Sequence, residues 1–223
     1  MIYVTSDLHF WHKNAIVYTN RPFETIEEMN EKLIEYWNKT IHPNDEVYIL
    51  GDVTMVRPAR ATEIISRLKG RKYLLMGNHD YFARQKQFDP AACGIEWVKM
   101  YCELHWQNRT FVLCHYPFVA WNKDSHGSYN LHGHLHSPVE YNYENRENGR
   151  LQYDVGVDAN NFRPVSLEEI VAFFECNDAD LLAIANKRMQ SMSSKVLITE
   201  EESNQRLGIT EDDLKGFETV EFE

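Results

Sequence analysis

Lys72-Tyr73-Leu74-Leu75-Met76-Gly77-Asn78-His79-Asp80 is a strand-length, mostly apolar run that stops at a glycine and turns at once into an amide, an imidazole and a carboxylate. Upstream, a helix is expected with Pro58 near its start, Ile64, Ile65 and Leu68 on its buried face and Gly70 just past its end. A second strand, Glu46-Val47-Tyr48-Ile49-Leu50, precedes that helix and ends at Gly51-Asp52. Thr25-x-x-Glu28 is a capping box opening a helix whose Met29, Leu33, Ile34 and Trp37 recur at helical spacing. The first strand, Ile2 to Thr5, leads into Asp7-Leu8-His9. Apolar strands linked by helices imply a mostly parallel sheet, in which polar loops gather beyond the carboxyl ends of the strands. The three polar motifs therefore fall on one edge.

The pattern shortens downstream to the runs Trp97–Tyr101, Glu103–Trp106 and Thr110–Leu113, with Gln107-Asn108 as a turn. These read as an antiparallel second sheet. His115 follows the third run, and Gly133-His134-Leu135-His136 reads as an extended segment projecting both histidines to one side. Val155 to Asp158 is expected to be a further short strand, and Ser166-x-x-Glu169 a second capping box opening a helix through Phe174 that covers one sheet. The fold class expected is α/β, a four-layer αββα sandwich of two β-sheets packed face to face and flanked by helices. Residues 1–176 form the expected catalytic domain, and 177–223 an acidic appendage.

Asp7, His9, Asp52, Asn78, His115, His134 and His136 offer carboxylate, imidazole or amide donors with no thiolate among them, a set suited to divalent first-row ions. Structural zinc would call for clustered cysteines, and a mononuclear hydrolytic site needs only three protein ligands. Seven donors suit two ions sharing one. Taken singly, each motif is ordinary turn chemistry; in this order, each after a strand, they are not. His42 and His105 have no such context.

The net charge of −11 opposes a protein that tracks long duplex nucleic acid by neutralising phosphates. Residues 177–223 hold 11 acidic and 5 basic residues, so −6 of that charge lies in the last stretch. No apolar run approaches the roughly 18 residues of a membrane span, and Met1 runs straight into Ile2-Tyr3-Val4 without a basic leader, so a cytoplasmic location is expected. Cys93, Cys102, Cys114 and Cys176 form no C-x-x-C pair and read as reduced thiols, with Cys114 notable for adjoining His115.

The series D-x-H, G-D, G-N-H-D, H and G-H-x-H resembles the calcineurin-like metallophosphoesterase superfamily over roughly residues 1–160, and Asp7-Leu8-His9-Phe10-Trp11-His12-Lys13-Asn14 with Arg21-Pro22-Phe23 resembles its small prokaryotic and phage branch. That resemblance implies hydrolysis of phosphomonoesters or phosphodiesters with two divalent ions. By position it makes Asp7, His9 and His136 ligands of one ion, Asn78, His115 and His134 ligands of the other, and Asp52 the bridge. It makes His79 the residue that meets the ester oxygen, oriented by Asp80. Two departures stand out: Val53-Thr54 follows Gly51-Asp52 with no second acid, and His115 sits in Cys-His-Tyr-Pro without a neighbouring glycine.

The chemistry asks for these residue types independently. Two ions neutralise the anionic oxygens of a phosphate ester and lower the pKa of a water shared between them toward ~7, giving a hydroxide nucleophile. A histidine can then protonate the leaving alkoxide. Manganese is the expected metal, with Fe²⁺, Zn²⁺, Co²⁺ and Ni²⁺ suited to the same donors. The expected substrate is a small phosphate ester, nucleotide-derived and more readily a diester than a monoester. His12, Lys13, Asn14 and Arg21 are candidates to grip its phosphate, and Trp11, Tyr116, Trp121 and Tyr129 to stack a base, with Trp121–Asn130 as a polar loop beside the second ion's expected ligands. A protein-interaction scaffold on the same fold is the other class considered; retention of all seven donors and His79 argues against it. In the tail, Leu181, Leu182, Ile184, Ala185, Met189 and Met192 have helical spacing, which predicts an amphipathic helix from Asp178 to Met192 docked on the body or pairing two copies as a homodimer. The remaining acidic arm carries apolar islands at Val196–Ile198 and Phe217–Phe222.

Overall fold

The computed structural model describes residues Met1–Glu175; the expected helix and arm of 177–223, and Cys176, lie outside them. Strands β1 (Ile2–Thr5), β2 (Glu46–Ile49) and β3 (Arg71–Leu75) run parallel and nearly in step, with Thr5 beside Ile49 and Ile49 beside Leu74. Each strand therefore delivers the loop after it to the same edge. β4 (Ile95–Lys99) adds in parallel beside β3, and β9 (Val165–Ser166) pairs antiparallel with β1, giving the order β4-β3-β2-β1-β9.

Both faces of this sheet are buried, which is why its strands read as unbroken apolar runs. Tyr3, Val47, Ile49 and Leu74 pack on one face against α2 (Ile26–Thr40) and α3 (Pro58–Ser66), through Met29, Leu33, Ile34, Trp37, Ile64 and Ile65. Burying side chains of this size stabilises the layer by about 1.5–3 kcal/mol each. Both capping boxes are present. Thr25 Oγ1 accepts the Glu28 N–H at 3.1 Å, while Ser166 and Glu169 bond reciprocally at 2.9 and 3.1 Å. A shorter helix, α1 (Lys13–Tyr18), leaves the β1 loop toward α2.

Val4, Tyr48, Leu50 and Leu75 face the other way, into a core shared with Phe111, Leu113, Leu131 and Tyr153 of the second sheet. That sheet comprises β5 (Tyr101–Trp106), β6 (Arg109–Cys114), β7 (Tyr129–His132) and β8 (Gln152–Asp154), in that order. Its outer face is buried but polar. Asn130 Oδ1 accepts from the Phe118 N–H at 3.2 Å and from Gln152 Nε2 at 2.7 Å, and Tyr141 of α4 (Glu140–Glu147) reaches His132 Nε2 at 3.2 Å. These bonds satisfy groups that would otherwise be costly to bury. α5 (Leu167–Glu175) seals the core between the sheets with Ile170 and Val171, and sets Phe173 and Phe174 against Tyr153 and Tyr129. The four layers and the α/β class are those expected from the sequence.

Three details differ from the sequence reading. The run Trp97–Tyr101 is divided: Ile95–Lys99 joins the first sheet, and Tyr101 begins the second. The second sheet is mixed, because β6, β7 and β8 run parallel and only β5–β6 is the antiparallel hairpin. Short alternating runs cannot reveal this, since strand direction depends on how the intervening loops return. Val155 to Asp158 is a 3-10 turn from Val157 following β8. No helix among the described residues is long and apolar enough to cross a membrane.

Candidate metal centre

The loops after β1, β2 and β3 place Asp7, His9, Asp52 and Asn78 on one edge, and those after the parallel pair β6 and β7 bring His115, His134 and His136 to meet them. The loops are stitched by backbone bonds: Asp7 N–H to Gly51 O at 3.0 Å, His9 N–H to Asp52 O at 2.9 Å, and Gly133 N–H to His115 O at 3.0 Å. All seven expected ligands converge. His9 Nε2 and His136 Nε2 are 3.1 Å apart, and each is about one ligand span, 4.0 and 3.9 Å, from Asp7 Oδ1. Asn78 Oδ1 lies 2.8 Å from His115 Nε2 and 3.0 Å from His134 Nδ1. Asp52 Oδ2 stands between the two groups, 3.6 Å from His9 Nε2 and 3.7 Å from His115 Nε2.

Five of the seven expected ligands, Asp7, His9, Asp52, His134 and His136, adopt left-handed backbone with φ between 50° and 71°. Such conformations cost roughly 1–3 kcal/mol each in a non-glycine residue and persist where the surroundings fix them. The reading of residues 133–136 as extended is thereby corrected: two left-handed residues, not strand alternation, aim both imidazoles inward. Gly133 is required for a different reason. A Cβ there would lie 1.9 Å from Ser6 Oγ and 2.4 Å from Asp7 Oδ2.

Hydrogen bonds fix which atoms point inward. Asp7 Oδ2 accepts from Ser6 Oγ at 2.8 Å and from the His134 N–H at 2.9 Å, leaving Oδ1 for the centre. His115 Nδ1 lies 2.8 Å from Leu50 O, so the ring donates there and turns Nε2 toward Asn78 and Asp52. His136 Nδ1 lies 2.7 Å from Asp158 Oδ2, the carboxylate–histidine pairing that orients a metal-binding imidazole. Arg21 clamps the same carboxylate at 2.8 Å and 2.9 Å and donates to Leu8 O and Asp7 O at 3.0 and 2.7 Å. Although burial raises the Asp158 carboxyl, its bonds to His136 and Arg21 outweigh this and hold it at about 2. For His136, burial opposes the charge, but Asp158 and Asp7 together raise its pKa.

These contacts revise two expectations. Arg21 was a candidate for gripping phosphate; its guanidinium is fully buried behind the Asp7 loop and engaged there. Asp80 was expected to orient His79; instead its carboxylate accepts from the backbone N–H of Asp52, Val53 and Gly77, each at 2.8 Å, and so ties the loops after β2 and β3 together. Burial raises its pKa to about 6 against those bonds. His79 Nε2 is 3.9 Å from Asp52 Oδ2, its side chain one third exposed and facing the centre, with Nδ1 making no hydrogen bond within the described residues.

No metal ion is part of the structure, but the donor set fits divalent cations. The Asp7 carboxylate is wholly buried, burial raises its pKa to about 8, and its Oδ1 has no hydrogen-bond partner among the described residues. A buried carboxylate with one orphaned oxygen is completed by a cation. Burial lowers His9 to about 2, with the positive His136 and Arg21 adding to the effect, and burial lowers His115 as well. Neutral imidazoles are the ligating form. Asp7, His9 and His136 form one group of potential ligand atoms within 4.8 Å of one another, and Asp7, Asp52 and His115 a second.

Around this centre, His12 Nδ1 is 3.2 Å from His9 Nδ1 and its ring is 6.1 Å from that of His79. Asn14 is exposed at the start of α1. Tyr116 is partly exposed and packs edge-on to His115 and His134 at 4.9 and 4.7 Å. Trp11 lies under the Arg60 guanidinium at 3.8 Å. Trp121 donates to Ser128 O at 3.1 Å with Arg150 over its ring. Tyr129 is buried against Phe111 and is removed from the stacking candidates. Cys114 is buried, which raises its thiol pKa. The sequence reading missed Asp158, Ser6 and Asp154. Asp154 Oδ2 and Oδ1 accept from the Ser137 and Gly156 N–H groups at 3.2 and 2.8 Å and so anchor the far end of the His134–His136 loop. No spacing signals these residues, because each acts through a fold contact.

The family model described as calcineurin-like phosphoesterase matches residues 1–174. An uncharacterized protein of Methanocaldococcus jannaschii is 34% identical over 178 residues, 78% of this chain and 91% of the relative. The Gene 66 protein of Mycobacterium phage L5 is 30% identical over 192 residues, 74% of this chain and 90% of the relative. A crystal structure of a protein of unknown function from Aquifex aeolicus shares the fold with a TM-score of 0.59 at 24% identity, covering 77% of this chain and 97% of that one.

Proposed function

The chain belongs to the calcineurin-like phosphoesterase family, and from that premise we propose that it hydrolyses a small phosphodiester with two divalent ions, manganese foremost. Asp7, His9 and His136 would hold one ion, Asn78, His115 and His134 the other, and Asp52 would be shared. The observation that carries this reading is the position of Asp52 Oδ2, nearly equidistant from His9 Nε2 and His115 Nε2 at 3.6 and 3.7 Å. Bound there, two ions supply the Lewis acidity that neutralises phosphate oxygens and acidifies water.

The protein's own groups do the rest. Asp158 and Leu50 O hold the His136 and His115 rings by Nδ1, so neither needs to reorganise when a ligand arrives. Asp80 fixes the backbone on both sides of Asp52 and His79. His79 presents Nε2 to the centre, where its proton can pass to the leaving oxygen. Arg21, a sequence candidate for gripping the phosphate, is engaged by Asp158 and two carbonyls instead, so the ester's grip falls to the centre itself. A non-catalytic scaffold would not need five ligands held in left-handed backbone. The test is hydrolysis of bis-p-nitrophenyl phosphate beside p-nitrophenyl phosphate, metal-free and with Mn²⁺, in the wild type and His79→Ala. Manganese-dependent diester turnover lost in the variant is expected; faster monoester turnover would select the phosphomonoesterase, and turnover of neither ester with two ions bound would overturn the enzymatic reading.

A further inference from the structure

A metal-binding imidazole gives one ring nitrogen to the ion and carries its proton on the other, and that N–H needs an acceptor to hold the ring in place. The histidines of the centre find theirs in different ways. His115 turns Nδ1 to Leu50 O at 2.8 Å, and His136 turns Nδ1 to Asp158 Oδ2 at 2.7 Å. His9 has neither a carbonyl nor a carboxylate in that place. Its Nε2 faces the centre, 3.1 Å from His136 Nε2, 3.6 Å from Asp52 Oδ2 and 4.0 Å from Asp7 Oδ1. Its Nδ1 has one hydrogen-bond partner among the described residues, His12 Nδ1 at 3.2 Å. Because His9 is buried, its N–H would otherwise be a donor left without an acceptor.

The backbone is shaped to make that contact. The His12 N–H donates to His9 O at 3.0 Å and closes a turn, with Trp11 inside it in left-handed backbone at φ 61°. The turn is anchored from the next loop, where Val53 O accepts the Phe10 N–H at 2.9 Å and Thr54 Oγ1 donates to Phe10 O at 2.7 Å. It returns the His12 ring to 5.1 Å from that of His9. His12 also occupies the N-cap of α1, where Ser, Thr, Asp or Asn would bond the helix, yet its side chain makes no capping bond. The imidazole is turned to His9 instead.

We propose that His12 is the positioning residue of the ligand His9: its Nδ1 accepts the His9 Nδ1–H and so keeps His9 Nε2 aimed at the ion that Asp7 and His136 would also hold. The direction of the bond follows from the chemistry, since a His9 that ligates through Nε2 carries its proton on Nδ1 and can only donate there. His12 then carries its own proton on Nε2. The proposal rests on the ligand assignment of the phosphoesterase reading and adds the residue that orients one of those ligands.

Calorimetric Mn²⁺ titration of metal-stripped protein, without substrate, tests it. His12→Phe keeps a ring and loses the acceptor; it should weaken one of the two binding steps by about 10–100-fold. That step should be the one weakened by Asp158→Asn, because His136 belongs to the same ligand set, and the other step, unchanged, shows that the variant is folded. His12→Asn, whose side-chain oxygen can accept where Nδ1 does, should restore the weakened step to within a few-fold of the wild type. In Zn²⁺-loaded protein, nitrogen NMR should find the proton of His9 on Nδ1 and that of His12 on Nε2. A His12→Phe titration like the wild type's, weakening of the other step or of both equally, a His12→Asn no better than His12→Phe, or a proton on His12 Nδ1 with His9 Nδ1 bare would each overturn the proposal. Failure of the phosphoesterase reading is seen separately, as no hydrolysis of any ester by a protein that shows both binding steps.

Discussion

The two halves of the centre are held in different ways. On the first-sheet side, Asp7, Asp52 and Asn78 follow β1, β2 and β3 within a few residues, and the parallel register alone aligns them. Their loops are tied to one another mainly by backbone, with Asp80 accepting three N–H groups. On the second-sheet side, His134 and His136 hang from one left-handed turn whose ends and rings are held by distant residues, Asp7, Asp154 and Asp158. Strand ends place the first set; long-range carboxylates place the second. Disturbing the first side should therefore damage the whole centre, and disturbing the second should damage one ion at a time.

The largest effect is expected where the halves join. Asp52→Asn removes the charge that the two proposed ions would share, and turnover should fall roughly 10³-fold with metal content dropping from two equivalents. A variant that still binds two ions tightly would make the join dispensable. His79→Ala should lower turnover by about 10²–10⁴-fold and leave metal content unchanged, because its ring faces the centre without being needed to hold it. Metal analysis beside the kinetics separates the two cases. Asp158→Asn sharpens the contrast: it should weaken one ion by about 10–100-fold and spare the other, read as two resolved steps in a metal titration. Equal weakening of both steps would show that the second-sheet side is not independently held.

How far the sequence reveals each side follows the same division. The seven expected ligands and the first-sheet strands are legible because each donor follows a strand within a few residues, directly after a glycine at Asp52, Asn78 and His134. The helix starts at Thr25 and Ser166 are legible because a capping box is complete within four residues. Ser166→Ala should accordingly cost only about 1 kcal/mol, the smallest effect here, measured by urea denaturation. Asp158 and Asp154 are invisible to such reading, because their partners His136 and Ser137 come from another loop. Arg21 and Asp80 were legible as polar residues near the ligands but not in their roles, since a side chain's direction is set by the fold. The parallel course of β6, β7 and β8 was hidden for the same reason.

The most direct measurement is Mn²⁺ titration of metal-stripped protein while bis-p-nitrophenyl phosphate hydrolysis is followed. A shared Asp52 between two complete ligand sets predicts activity that rises to a plateau at two equivalents of metal per chain. A plateau at one equivalent, or two equivalents bound with no hydrolysis of the diester, would contradict the account.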